Sequence, residues 1–276
     1  MRNTAKITTA VLAAGALTLG LTACGSDKDS AGAGARLTVA ATPTPQGEIL
    51  TYIKDNLAKK AGLDLEVKEF TDYVTPNTAV QQGEVDANYF QHQPYLTDFN
   101  KKNGTDIVAV PGATVHLEPL GLYSQGVKKL DDLKKGATVA LPNDTTNEAR
   151  ALKLLEANGL IELKSGVGYD ATPKDVTANP RKLVFKELEA AQLPRSLADV
   201  DAAVINGNYA LEADLSPAED ALAAESAKDN PYANFLAVKK GDEGDPRIRK
   251  LAELLTSPEV KKFIEDKYDG AVVAAF

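Results

Sequence analysis

Apolar positions along the chain follow two alternating spacings from about residue 36 to its end. Between residues 63 and 67 every second position is apolar, which is typical of a strand with one buried face. Two other stretches carry apolar residues at helical spacing: Ile49, Leu50, Ile53 and Leu57 in the first, and Ile248, Leu251, Leu254 and Leu255 in the second. Because strands and helices alternate, the pattern predicts an α/β fold of mostly parallel sheets flanked by helices.

One short pattern occurs twice in the chain. Leu37–Ala40 precedes a polar turn and a helical stretch, and Ala137–Ala140 does the same. Val85–Ala87 and Val200–Ala202 both read Val-Asp-Ala and follow these strands in the same order. A repeat of this kind indicates two units of like topology. Two such lobes facing each other form a cleft, and ligands of parallel sheets bind at the carboxyl ends of the strands.

The last two helical stretches belong with the first lobe in this interpretation. The second of them begins at Ser257-Pro258, with Val260, Phe263 and Ile264 on its apolar face. We therefore expect lobe 1 to comprise residues 36–119 and 237–276, and lobe 2 to comprise residues 120–236. The two crossings of the chain between the lobes form the predicted hinge.

The N-terminus has the features of a secretion signal. Arg2 and Lys6 precede an uncharged run from Val11 to Leu21, which is shorter than the roughly 20 residues of a membrane-spanning helix. Leu21-Thr22-Ala23-Cys24 resembles a bacterial lipobox. We expect residues 1–23 to be removed, Cys24 to carry a lipid, and residues 24–35 to form a flexible tether. The predicted location is outside the cytoplasm, anchored to the cell membrane.

Composition excludes several classes of function. The formal net charge of −8 argues against nucleic-acid binding, which needs a basic surface. Cys24 is the only cysteine, so no internal disulfide can form, and two histidines are too few for a typical transition-metal site. The common motifs of hydrolases, phosphate-binding loops and zinc proteases are missing from the sequence. We expect no cofactor, no metal and no enzymatic activity.

The segment from Asn143 to Arg150 predicts an anion site at the start of a helix. Thr145 and Glu148 have the spacing of a capping box, and Asn147 and Arg150 share one helix face. A helix N-terminus attracts anions, and an arginine fork matches a carboxylate. The alternative is an ordinary surface helix in which Arg150 pairs with a nearby glutamate.

Aromatic residues form a second group between positions 73 and 95. The candidates for a side-chain pocket are Tyr73, Phe90, His92 and Tyr95, with Tyr89 nearby. Aromatic faces suit a polarizable thioether. The alternative is a plain core strand in which His92 is a structural histidine.

Six segments together resemble the methionine-binding lipoproteins of bacterial ABC importers. They are FTDYVTPNTAV, DANYFQHQPYL, PNDTTNEARAL, LEAAQLPRSL, VINGNYA and PYANFLAV, and they follow the family's order from about Arg36 to Phe276. The resemblance implies a two-lobed type II periplasmic-binding-protein fold with the ligand in the cleft. It also implies delivery of L-methionine to a membrane permease driven by a cytoplasmic ATPase, and we expect a monomer.

The resemblance also implies roles for individual residues. Arg150, with Asn147, would bind the ligand carboxylate, while Asn206 and Asn234 would bind its amino and carboxylate groups. The aromatic candidates, namely Tyr73, Phe90, His92 and Tyr95, would line the side-chain pocket. His116 stands where some relatives carry another aromatic residue.

Three alternatives remain open from sequence. The ligand could be a methionine-containing dipeptide or another methionine derivative, since the sequence does not give the size of the cavity. The same fold also supports enzymes. A surface adhesin is the third alternative, in which the residues at Arg150 and Asn234 have no ligand to bind.

Overall fold

The structure is a computed structural model that describes residues 35–276. The predicted signal peptide, Cys24 and the predicted tether up to residue 34 lie outside the described residues. None of the helices between residues 35 and 276 is long and apolar enough to cross a membrane.

The described chain forms thirteen strands and eight α-helices. The strands are β1 (Leu37–Ala41), β2 (Leu65–Glu69), β3 (Ala87–His92), β4 (Ile107–Leu117), β5 (Gly121–Tyr123), β6 (Thr138–Pro142), β7 (Glu162–Leu163), β8 (Val176–Ala178), β9 (Val184–Leu188), β10 (Ala202–Ile205), β11 (Ala221–Ala224), β12 (Asn234–Lys239) and β13 (Val273–Ala274). The helices are α1 (Glu48–Ile53), α2 (Thr75–Gln82), α3 (Gln93–Asn103), α4 (Thr145–Ala157), α5 (Leu193–Ser196), α6 (Gly207–Glu212), α7 (Pro246–Leu255) and α8 (Pro258–Tyr268).

Two main sheets divide the chain into the two expected lobes. The first sheet has the strand order β13-β4-β12-β3-β1-β2, and the second has the order β11-β5-β10-β6-β9. Helices α1, α7 and α8 pack their apolar residues on the first sheet, and α4 packs on the second. The α/β architecture with two lobes is therefore as the alternating pattern predicts.

The sequence repeat corresponds to a repeated piece of structure. β1 lies between β2 and β3 with parallel pairing, and β6 lies between β9 and β10 in the same way. The backbone N–H of Thr38 donates to Asp86 Oδ2 over 2.7 Å, and that of Thr138 donates to Asp201 Oδ2 over 2.7 Å. The aspartate of each Val-Asp-Ala segment thus accepts a hydrogen bond from the backbone at the start of its lobe's central strand. This shared role explains why the motif occurs twice.

Each sheet is mixed, whereas the pattern predicted mostly parallel sheets. β12 runs antiparallel to β3 and β4, and β5 runs antiparallel to β10 and β11. The reason is the path of the chain between the lobes. Parallel strands point their carboxyl ends at the cleft, so a strand that enters a lobe from the cleft must run the opposite way.

The second crossing ends earlier than the expected lobe boundary. The boundary predicted between residues 236 and 237 falls inside β12, all of which belongs to the first sheet. Residues 234–238 are all buried, so no polar break marks the point where the chain enters this lobe. The chain crosses between the sheets at residues 118–120 and again at residues 225–233.

Helix α4 begins with a different cap from the one that the spacing predicts. Asp144 is the N-cap, and its side chain accepts from Asn147 N over 3.1 Å. Thr145 is the first residue of the helix, so the predicted Thr145–Glu148 capping box is wrong by one position. Aspartate is at least as good an N-cap as threonine, which accounts for the shift. Glu148 is buried, with 7% of its surface exposed.

We expect Glu148→Gln to stabilise the protein at alkaline pH. Burial and the neighbouring Glu187 carboxylate raise the pKa of Glu148 to about 7. Its Oε1 is buried without a hydrogen-bond partner among the described residues. A raised folded-state pKa means that the folded chain keeps a proton that the unfolded chain loses, so stability falls as pH rises from about 4.5 to about 7.

Thermal melting at pH 4.5 and pH 8 tests this prediction. The variant's gain in melting temperature over the wild type should be larger at pH 8, because glutamine cannot ionise. Glu219→Gln, at an exposed position, is the matched control and should give the same difference at both pH values. A Glu148→Gln effect that does not change with pH would contradict the assignment.

Candidate functional site

A cavity lies between the two sheets, and all eight residues predicted to bind the ligand line it. Its volume is about 20 Å³. The residues around it are Tyr73, Phe90, Gln91, His92, Tyr95, Glu118, Asn147, Arg150, Asn206, Gly207, Asn208 and Asn234. The structure therefore brings the helix-start residues, the aromatic residues and the two asparagines of the later motifs to one place.

Aromatic rings form the wall on the side of the first lobe. Tyr73 lies 6.1 Å from Phe90 and 5.9 Å from Tyr95, measured between ring centroids, and the second contact is edge-on. The hydroxyl of Tyr95 donates to the Tyr73 carbonyl over 2.8 Å, which fixes the two rings relative to each other. Tyr89 is fully buried on the other face of β3, so it belongs to the core.

His92 is a neutral histidine with a defined tautomer. It caps helix α3, and its Nδ1 accepts from Tyr95 N over 3.2 Å. The proton must then be on Nε2, which donates to Asn147 Oδ1 over 3.1 Å. Burial, together with the Arg150 guanidinium, lowers the pKa of His92 to about 3. His92 thus joins the two lobes as a hydrogen-bond donor without adding charge to the cavity.

Asp144 orients two of the predicted asparagines. A carboxylate can only accept hydrogen bonds, so Asn147 must turn its Nδ2 to Asp144, at 3.0 and 3.1 Å from the two oxygens. Asn147 Oδ1 then faces the cavity side and accepts from Asn206 Nδ2 over 3.1 Å. Asn206 Oδ1 is left buried without a partner among the described residues.

Arg150 lines the cavity and pairs with a glutamate, and it is buried, whereas the alternative from sequence placed it on a surface helix. Its Nε donates to Glu225 Oε1 over 2.9 Å, and its Nη2 donates to Glu225 Oε2 over 2.5 Å. Nη2 also donates to the Glu118 carbonyl over 2.9 Å. The Tyr232 ring covers one face of the guanidinium, 4.3 Å from Cζ. Arg150 is therefore rigidly positioned, with much of its fork already used.

The buried carboxylate of Glu118, to which the sequence gave no role, helps to orient Asn234, the third predicted asparagine. Glu118 Oε1 accepts from Gln46 Nε2 over 2.6 Å and from His116 Nε2 over 2.7 Å. Gln46 Nε2 lies 3.2 Å from Asn234 Oδ1, so the Nδ2 of Asn234 turns away from this contact. His116 also bonds to the Tyr89 hydroxyl through Nδ1. His116 thus links the Glu118 carboxylate to the Tyr89 hydroxyl by hydrogen bonds.

One donor and one acceptor of the asparagines around the cavity have no hydrogen-bond partner among the described residues. Asn208 Nδ2 is a buried donor without a partner among the described residues, and Asn206 Oδ1 is a buried acceptor of the same sort. Asn208 Oδ1 is used by the Tyr73 hydroxyl at 2.6 Å. Buried polar groups of this kind are rare, because each costs free energy until it is paired. A ligand that carries both donors and acceptors would satisfy them.

Four lining residues were missed from sequence, for different reasons. Asn208 and Gly207 lie beside Asn206 in the same motif, and the turn into α6 could have suggested them. Gln91 lies on the fully buried strand β3 and bonds to Asn77 and Asn88 there. Nothing in the sequence distinguished Glu118 from the other acidic residues. No group of three potential metal ligands is found in the part of the chain that the structure describes.

Comparison with known proteins identifies the family of this chain. The methionine-binding lipoprotein MetQ of Bacillus subtilis is 45% identical over 256 residues, which make up 92% of this chain and 93% of the relative. A nutrient binding protein from Burkholderia cenocepacia, solved bound to methionine, is 47% identical with a TM-score of 0.83 over 87% of this chain and all of that one.

A third similar protein is a periplasmic substrate-binding protein of an ABC transporter from Coxiella burnetii. Its structure is 43% identical, with a TM-score of 0.82, over 87% of this chain and all of that one. The sequence model of the NlpA lipoprotein family matches residues 37–276, which is nearly the whole described chain. This chain therefore belongs to the NlpA lipoprotein family.

Proposed function

We propose that this protein captures L-methionine outside the cytoplasm and delivers it to an ABC importer. One observation carries the proposal: the eight predicted ligand residues, which are far apart in the sequence, line a single cavity between the lobes. That cavity joins charged and amide groups to an aromatic wall, and methionine needs both kinds of surface.

The chemistry of the cavity supports an amino acid as the ligand. A zwitterion taken out of water must have both charges met by hydrogen-bonding partners. Arg150 and Asn208 Nδ2 offer donors for a carboxylate, and Asn206 Oδ1 offers an acceptor for an amino group. The rings of Tyr73 and Phe90 offer faces to which a thioether can bind.

Relatives support the role in import. One relative is named for methionine binding, one structure is described as bound to methionine, and another belongs to an ABC transporter. We extend these roles to this chain, with a permease and its ATPase as partners and no catalytic step. A monomer held by a lipid on Cys24 fits this role, because the lobes then remain free to meet a permease at the membrane.

Binding requires the lobes or the side chains to move. A volume of about 20 Å³ has room for a water molecule and not for an amino acid. We propose that the two lobes open by bending at the crossings, residues 118–120 and 225–233, and close again around the ligand. Closure follows when the ligand binds the closed state more tightly than the open one.

Mass spectrometry of the protein extracted from its membrane tests the proposal. The ligand released on denaturation should be methionine; a dipeptide or a derivative would show the alternative ligand directly. The intact mass tests the anchor at the same time, because a lipid on Cys24 adds mass to the mature chain. A protein that retains no ligand and shows no heat on titration with methionine would overturn the proposal.

A second prediction concerns the selectivity of the cavity among amino acids. The polar groups contact parts that every amino acid has, so discrimination must come from Tyr73, Phe90, His92 and Tyr95. Norleucine keeps the straight chain and loses only sulfur–aromatic contacts of about 0.3–1.5 kcal/mol. Leucine is branched, and such a misfit costs about 1–3 kcal/mol. Methionine sulfoxide places a polar oxygen against apolar rings.

Competition binding with these four compounds gives the order. We expect methionine to bind best, norleucine somewhat more weakly, and leucine and the sulfoxide more weakly by about tenfold or more. If leucine competes as well as methionine, the aromatic wall does not select the side chain, and the assignment of methionine fails while the fold stands.

A further inference from the structure

We propose that Glu118 recognises the α-ammonium group of the ligand and so restricts the protein to compounds with a free, charged amino group. This inference rests on the proposed function and deepens it, because it adds a residue and a substrate class to the same cavity. Neither the resemblance to the family nor the sequence pattern gave Glu118 a role.

The two carboxylate oxygens of Glu118 are used unequally. Oε1 accepts two hydrogen bonds, from Gln46 and His116, at 2.6 and 2.7 Å. No hydrogen bond among residues 35–276 reaches Oε2. Glu118 is 6% exposed and lines the cavity, so this oxygen has little access to bulk water. The side chain is thus held from one side and leaves an acceptor free on the other.

A second free acceptor belongs to another residue that lines the same cavity. Asn206 Oδ1 is buried without a partner in the described part of the chain, and its orientation is fixed through Asn147 and Asp144. Gly207, the next residue, approaches Glu118 so closely that a Cβ there would be 3.1 Å from Oε2. Two free acceptors that line one cavity call for a ligand group with several donors, and an ammonium group has three.

The charges of the side chains around the cavity also favour a cationic group on the ligand. Arg150 is the one arginine or lysine that lines the cavity, and Glu225 already neutralises it through two hydrogen bonds. No lysine or arginine forms an ion pair with Glu118 among the described residues; its one partner of that kind is His116. An unpaired buried charge is costly. A cationic group on the ligand removes that cost when it binds.

The test compares methionine with 2-hydroxy-4-(methylthio)butanoate, which has a hydroxyl in place of the ammonium group and is otherwise the same. Calorimetry gives both dissociation constants for the wild type and for Glu118→Gln. Glutamine keeps the shape and can still accept from Gln46 and His116 through its oxygen. Its NH₂ group then lies where Oε2 was and opposes an ammonium group.

We expect the wild type to prefer methionine by roughly 10- to 150-fold, the value of one charge-assisted hydrogen bond. In Glu118→Gln the preference should fall at least about tenfold, because methionine binds more weakly while the hydroxy compound binds as before or better. Glu84→Gln is the control: it removes an exposed carboxylate that does not line the cavity, and it should leave both dissociation constants unchanged.

Two results would overturn the inference, and they differ from failure of the proposed function. Equal weakening of both ligands would show that Glu118 only supports the fold of the site. An unchanged preference with unchanged affinities would show that another group reads the ammonium. A wild-type protein that binds neither compound would instead remove the proposed function, and this inference with it.

Discussion

Replacing Arg150 with glutamine is expected to lower the affinity for methionine by roughly 150- to 4,000-fold. Removing one partner of a buried charge pair costs about 3–5 kcal/mol, since the other charge stays buried without compensation. Here two carboxylates lose their partner together, the ligand's and that of Glu225, whose two oxygens lie 2.9 and 2.5 Å from the guanidinium. Glu118 adds a third negative group close by.

Arg150→Lys separates charge from geometry at the same position. Lysine keeps the charge but lacks the fork that reaches Glu225, the Glu118 carbonyl and the cavity together. We expect an intermediate loss of roughly 10- to 150-fold, corresponding to one charge-assisted hydrogen bond. Isothermal calorimetry measures both variants. Arg249→Lys, on the exposed side of α7, is the control and should bind as the wild type does. Full affinity in Arg150→Lys would mean that the ligand does not need the guanidinium.

Replacing Gly207 with alanine is expected to weaken methionine binding by roughly 5- to 150-fold. The added methyl group would lie 2.5 Å from Glu118 Cβ, which is close to the backbone and cannot swing aside. Either Glu118 or the start of α6 must shift, and each carries a free acceptor at the cavity. Overpacking of this kind costs about 1–3 kcal/mol.

Circular dichroism and calorimetry together test this prediction. Total stabilities of about 5–15 kcal/mol leave such a variant folded at room temperature, so its affinity can be measured. Gly126→Ala is the matched control, because the nearest atom to its added methyl group is 3.9 Å away. Unaltered methionine binding by Gly207→Ala would show that the close contact with Glu118 has no bearing on the ligand.

The division into two lobes could be predicted from the sequence, whereas the directions of strands β5 and β12 could not. Local periodicity and the repeated Val-Asp-Ala segments predict paired lobes, and Asp86 and Asp201 form the equivalent hydrogen bonds that the repeat implies. Antiparallel β12 and β5 could not be read in the same way, because strand direction depends on where the chain crosses between lobes. That path is a property of the whole chain, whereas periodicity is local.

The same limit explains what was missed at the site. Asn147 and Arg150 are three residues apart on one helix, so their shared face could be predicted from spacing. The partner of Arg150 is Glu225, 75 residues further along, and no local pattern connects them. The cap of α4 is Asp144 and not the predicted Thr145, although the stronger capping preference of aspartate was available from the sequence.

Residues at the ends of the two crossings of the chain line the cavity or contact a residue that does. Glu118 directly follows β4, Glu225 directly follows β11, and Asn234 is the first residue of β12. Any motion that bends these segments therefore also moves residues of the cavity out of their common arrangement. Under the proposed function, unloading at a permease would then need no competing molecule, because the movement that opens an exit would also lower the affinity.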